Sequence, residues 1–68
     1  MNKYRIKYYL KPNTCITIES ENKRKIKTIQ EQYDKAINTF TTIIEPVGDK
    51  KTTIIKTSEI ICVEIEKI

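Results

Sequence analysis

The chain contains no histidine and no tryptophan, and among its 68 residues there are one glycine, one phenylalanine and two cysteines. Each scarcity removes a class of chemistry. Without an imidazole there is no ready base to activate a nucleophile, so Ser20, Ser58, Cys15 and Cys62 cannot be assembled into a triad. With no histidine and no clustered aspartates the usual parts of a metal centre are missing, and with Gly48 as the only glycine there is no loop of the kind that cradles phosphate. Glu64 and Glu66 share a strand face, but a period of two beside Lys67 is the pattern of a solvated strand rather than of an acid–base pair. A protein without catalytic residues and without a cofactor is expected, one that acts by binding.

Long apolar runs are lacking too. The longest is Ile60-Ile61-Cys62-Val63, too short for a membrane span. Met1-Asn2-Lys3-Tyr4-Arg5 is positively charged but is not followed by the apolar core of a signal peptide, so a cytoplasmic location is expected. There Cys15 and Cys62, which form no Cys-x-x-Cys pair, are free thiols.

What is present is β-branched and basic: fourteen isoleucines, nine threonines and a net charge of +4. Isoleucine and threonine favour pleated surfaces, and a basic surface concentrates anionic partners around itself. The whole chain, residues 1–68, reads as one domain close to the lower size limit for a self-sufficient core. Chains this small often gain stability by assembling, so a homo-oligomer is expected.

Tyr4, Ile6, Tyr8 and Leu10 alternate with Arg5, Lys7, Tyr9 and Lys11, the period of a strand with one buried face. Lys11-Pro12-Asn13-Thr14 reads as a turn, and Cys15–Glu19 as a second strand with Ile16 and Ile18 inward. From a cap at Ser20 or Asn22 the period lengthens, with Ile26, Ile29, Tyr33, Ala36, Ile37 and Phe40 on one stripe of a helix over 23–39. Thr41–Ile44 and Thr52–Ile55 then read as a hairpin turning around Pro46 and Gly48, and Thr57-Ser58-Glu59 breaks the chain before a last strand with Ile61, Val63 and Ile65 inward. The expected fold is α+β, two hairpins flanking one amphipathic helix in the order ββαββ or ββαβββ, the helix lying on one face of an antiparallel sheet. In the competing arrangement Arg24–Ile29 is a third strand of a small barrel.

Two basic clusters are candidate ligand sites. Arg5, Lys7, Tyr9 and Lys11 share the outward face of the first strand, where cations beside an aromatic ring could meet a nucleic acid by phosphate attraction and base stacking. Glu19, Glu64 and Glu66 point outward as well, so the same residues could equally form cross-strand ion pairs. Lys23, Arg24, Lys25 and Lys27 open the helix, where cations oppose the helix dipole and Lys23 and Lys27 repel one another. Such a placement suits an anion held by side chains and helix terminus together, or else simply a solvated surface.

The Tyr-rich basic first strand, turn, second strand, helix and closing segment Thr57-Ser58-Glu59-Ile60-Ile61-Cys62-Val63-Glu64-Ile65-Glu66 resemble short uncharacterised proteins carried by phages and mobile elements of low-GC bacteria. That resemblance implies an accessory factor acting on a host component. The expected function is binding of nucleic acid or a nucleotide through the basic residues. The other reading is a protein-interaction module or inhibitor that docks on a host protein through an exposed sheet face or edge.

Overall fold

The structure, a computed structural model, describes residues 2–68. Its elements are strand β1 (Asn2–Leu10), strand β2 (Thr14–Asn22), helix α1 (Ile26–Thr39), strands β3 (Thr42–Val47) and β4 (Lys51–Lys56), a 3-10 turn over Thr57–Glu59, and strand β5 (Ile60–Lys67). The fold is α+β with five strands and one helix among the described residues, every strand pair being antiparallel. Among the described residues no helix is long and apolar enough to cross a membrane.

The strands form two sheets rather than one. β1 lies at the centre of a three-stranded sheet ordered β2-β1-β5, while β3 and β4 pair only with each other. Alternation along β1 directs Tyr4, Ile6 and Tyr8 into the core, where Ile18 of β2, Ile43 of β3 and Ile55 of β4 meet them. Helix α1 closes the core from the side, burying Ile29 and packing Tyr33 and Ile37 against the cluster. Ile26–Ile29 are helical, which excludes the barrel with a third strand over Arg24–Ile29.

Five local readings are corrected. The helix begins at Ile26, three residues later than the hydrophobic period suggests, because the backbone of Arg24 is engaged elsewhere: its N–H donates to Asn22 Oδ1 at 2.9 Å, and its carbonyl accepts from the Tyr4 hydroxyl and from Asn2 Nδ2. Ser20 is a strand residue opposite Tyr4, and no side chain caps the helix. Phe40 lies beyond the last turn in extended backbone and is 61% exposed, so it does not join the stripe. Pro46 sits inside β3, an edge strand that tolerates a missing N–H, and the turn is made by Gly48-Asp49-Lys50 with Gly48 at φ 71°.

The fifth concerns β5. The register with β1 shifts between Tyr9 and Leu10, so that Tyr9 faces Cys62 while Leu10 faces Ile60, and Ile61 is left over. This bulge reverses the inward alternation at its point. Ile60 packs on the core, and Ile61 is 60% exposed instead of buried.

Candidate functional site: a basic linker beside a buried carboxylate

The two basic clusters sit in different electrostatic surroundings. On the open face of the three-stranded sheet, Arg5 stands between Glu19 and Glu66 in the register, and its Nη1 donates to Glu66 Oε1 at 2.9 Å. Lys7 stands between Thr17 and Glu64, and Lys3 reaches Glu19 at 3.9 Å. Tyr9 lies between Cys15 and Cys62, and its hydroxyl is pushed up to about 12, chiefly because the Glu64 carboxylate accepts its proton in a hydrogen bond. Lys11 falls in the turn after β1, its backbone N–H donating to the Glu59 carbonyl at 2.9 Å. Both cysteines are free and exposed; with a strand between them they stand about 10 Å apart, beyond the span of a disulfide.

Lys23, Arg24 and Lys25 form the linker between β2 and α1, and Lys27 lies in the first helical turn; all four are exposed. None of the four is within ion-pair distance of a carboxylate among the described residues. Repulsion across a helical turn does not apply to Lys23, which is outside the helix. The unfavourable meeting with the helix dipole is confined to Lys25, at the N-cap, and Lys27. No acidic residue offsets them in the first turn. The linker is nonetheless held firmly, since both the donor and the acceptor of the Arg24 peptide are occupied by Asn22, Tyr4 and Asn2.

The core holds a polar group that the hydrophobic pattern does not reveal. Glu45 of β3 is only 8% exposed, and its Oε1 accepts hydrogen bonds from the hydroxyls of Tyr8 (2.8 Å) and Tyr33 (2.6 Å). The two rings are tilted at 59° with centroids 6.1 Å apart, the edge-to-face approach that aromatic pairs favour. Burial, followed by the bond to Glu45, raises both hydroxyls well above their ordinary value, so both remain protonated donors. A cavity of about 260 Å³ between α1, β2 and β3 extends from Glu45 and Tyr33 to Tyr4 and Asn22, the residues that hold the linker.

Tyr8 and Tyr33 read from the sequence as core residues, whereas Glu45 falls between the strand ending at Ile44 and the turn around Pro46 and is assigned to neither. The signal was the parity of β3, which places residue 45 on the same face as Ile43; assigning Pro46 to the turn hid it.

Comparison of the chain with protein-family models, with curated proteins and with solved structures finds no match.

Proposed function

We propose that this is a small non-enzymatic accessory protein, of the kind phages and mobile elements carry, that binds an anionic phosphate-bearing ligand through Lys23, Arg24, Lys25 and Lys27. One observation carries the reading: these cations are exposed, without carboxylate partners among the described residues, on a backbone pinned by three side chains. A solvated lysine run needs no such support. The strand-one set Arg5, Lys7, Tyr9 and Lys11 contributes less, because Glu19, Glu64 and Glu66 share its face.

Titration of a labelled single-stranded oligonucleotide at several salt concentrations tests this. Counterion release predicts that affinity falls with salt, with a log–log slope near −3 for about four phosphate contacts. Replacing the four linker cations with glutamine flattens the slope and costs about a hundredfold at low salt, whereas replacing Arg5, Lys7 and Lys11 costs less than about threefold. Equal losses from the two sets would overturn the assignment to the linker.

A second surface favours self-association. Ile44 and Ile54 are cross-strand partners on the outer face of the β3–β4 hairpin, 63% and 66% exposed, with Thr42, Pro46 and Thr52 around them and Lys56 as the only charge on that face. The surface of 5204 Å² exceeds by about 750 Å² what a compact monomer of 8.0 kDa exposes, and an ordinary interface buries about 800 Å² on each partner. A two-fold axis through the Ile44–Ile54 pair sets the apolar centre of this face on its own copy, with Lys56 at the margin, so the occupant we infer is a second copy of this chain. Sedimentation should show a dimer that Ile44→Lys converts to a monomer; a chain already monomeric at high concentration refutes the pairing.

A further inference from the structure

The cavity lined by the linker's anchors Tyr4 and Asn22 is also lined by a carboxylate with acceptor capacity to spare. Glu45 uses one carboxylate oxygen for both tyrosines, and no hydrogen-bond donor among the described residues reaches the other, Oε2. Among the described residues no side-chain polar atom is sealed from solvent without a partner, so Oε2 is reachable by solvent, and Glu45 lines the cavity. A carboxylate that is nine-tenths buried with one oxygen unpartnered is an acceptor for a donor that the fold does not supply.

We propose that the cavity is the base-binding half of a guanine nucleotide site whose phosphate half is the linker carrying Lys23, Arg24, Lys25 and Lys27; the inference rests on the linker reading above and names its ligand. Guanine carries a ring N–H and an amino N–H side by side on one edge, so both can turn toward Oε2. Adenine and cytosine place a ring-nitrogen lone pair beside their amino group, and that lone pair would confront the carboxylate. Uracil has a single N–H set between two carbonyl oxygens. Burial makes it costly to turn a ring-nitrogen lone pair or a carbonyl oxygen toward the carboxylate, so guanine, which presents two donors and no acceptor there, is preferred.

Size and position agree. A volume of about 260 Å³ lies below the roughly 300–1,000 Å³ of pockets that enclose drug-sized ligands. It suits one base, with the sugar and phosphate outside. Ile6, Ile29 and Ile43 give the apolar walls, and the Tyr33 ring offers a surface for the base. Tyr4 and Tyr8 stand four residues apart on β1, about 13 Å at the rise of a strand. The hydroxyl of Tyr8 meets Glu45 and that of Tyr4 meets the Arg24 carbonyl, so the linker is anchored at the Tyr4 end of the cavity, and a phosphate turned toward that end meets its cations.

Calorimetric titration with guanosine monophosphate, adenosine monophosphate, inorganic tripolyphosphate and a guanine-containing single-stranded oligonucleotide tests the proposal. The guanine nucleotide is expected to bind at least about tenfold more tightly than the adenine nucleotide. Glu45→Gln, which keeps an oxygen for the two tyrosines but brings an amino group into the cavity, should erase that preference and leave tripolyphosphate binding unchanged. Ser20→Leu fills the cavity without touching the Tyr8–Glu45–Tyr33 bonds and should do the same, so the test survives if the first variant does not fold. A Glu45-dependent preference seen with the free nucleotide identifies a nucleotide site, and one seen only with the oligonucleotide identifies guanine within a strand. Equal affinity for the two nucleotides, indifferent to both variants, overturns the base site while tripolyphosphate binding keeps the linker reading. Failure of every anion to bind at low salt removes the linker reading itself.

Discussion

The two faces of β1 handle charge in opposite ways. On the covered face Tyr8 delivers its hydroxyl, with that of Tyr33, to a single buried carboxylate, Glu45. On the open face Arg5 donates to Glu66, a carboxylate in water. Both are hydrogen-bonded carboxylates reached from the same strand, yet their surroundings assign them different weights. Inside, the alternative to the native bond is a polar group with no partner; outside, it is a bond to water. The number of such contacts therefore says little about what holds this fold, and their burial says most of it.

The sharpest break of this comparison is Glu45→Ala. It strands the buried hydroxyl of Tyr8 and leaves that of Tyr33 to whatever water the cavity admits, at a cost of about 3 kcal/mol. In a domain of this size that lowers the melting temperature by roughly 12–24 °C, which thermal denaturation followed by circular dichroism will show. Adding Tyr8→Phe and Tyr33→Phe with leucine at position 45 removes the stranded groups and should recover most of the loss. A Glu45→Ala melting temperature within about 3 °C of the parent would mean that water already solvates the cluster.

A smaller effect follows from pH. The hydroxyls of Tyr8 and Tyr33 lie above their ordinary 10.0 through burial and the bond to Glu45, so the folded state holds these protons more tightly than the unfolded state does. Their contribution is intact below pH 10 and drains away as the pH rises beyond it, by at most about 1.4 kcal/mol per pH unit for each tyrosine and by less for partly buried Tyr33. Urea midpoints measured from neutral to strongly alkaline pH should stay level up to about pH 10 and then fall. Tyr8→Phe should make the fall shallower, and an unchanged slope in that variant would place the alkaline transition elsewhere.

The open face was legible in the sequence because alternation of Arg5, Lys7 and Tyr9 with Tyr4, Ile6 and Tyr8 needs only the strand period. The helix was legible from Ile26, Ile29, Tyr33 and Ile37, but not its start. Asn22, Tyr4 and Asn2 withdraw the Arg24 peptide from helical bonding, and two of those three residues lie some twenty positions away in sequence. Ile61 was misplaced because a bulge depends on the register between β1 and β5, which neither strand encodes alone. Glu45 was hidden for a related reason. A carboxylate becomes a core residue only when two tyrosines from other elements reach it, and no local pattern reports that meeting.

The smallest effect lies on the open face and completes the contrast. Arg5 is more than a third exposed and Glu66 more than half, so their bond competes with water and is screened by salt. Glu66→Gln should cost no more than about 0.5 kcal/mol, and the difference should vanish in high salt. The same substitution removes the carboxylate paired with Arg5, so affinity of this face for an oligonucleotide should rise slightly while stability hardly moves. Paired measurements of melting temperature and low-salt oligonucleotide affinity check both halves. A stability loss approaching that of Glu45→Ala would show that exposure does not separate the two carboxylates, because the outer ladder of Lys3, Arg5, Glu19 and Glu66 would then be acting as a cooperative network rather than as isolated pairs in water.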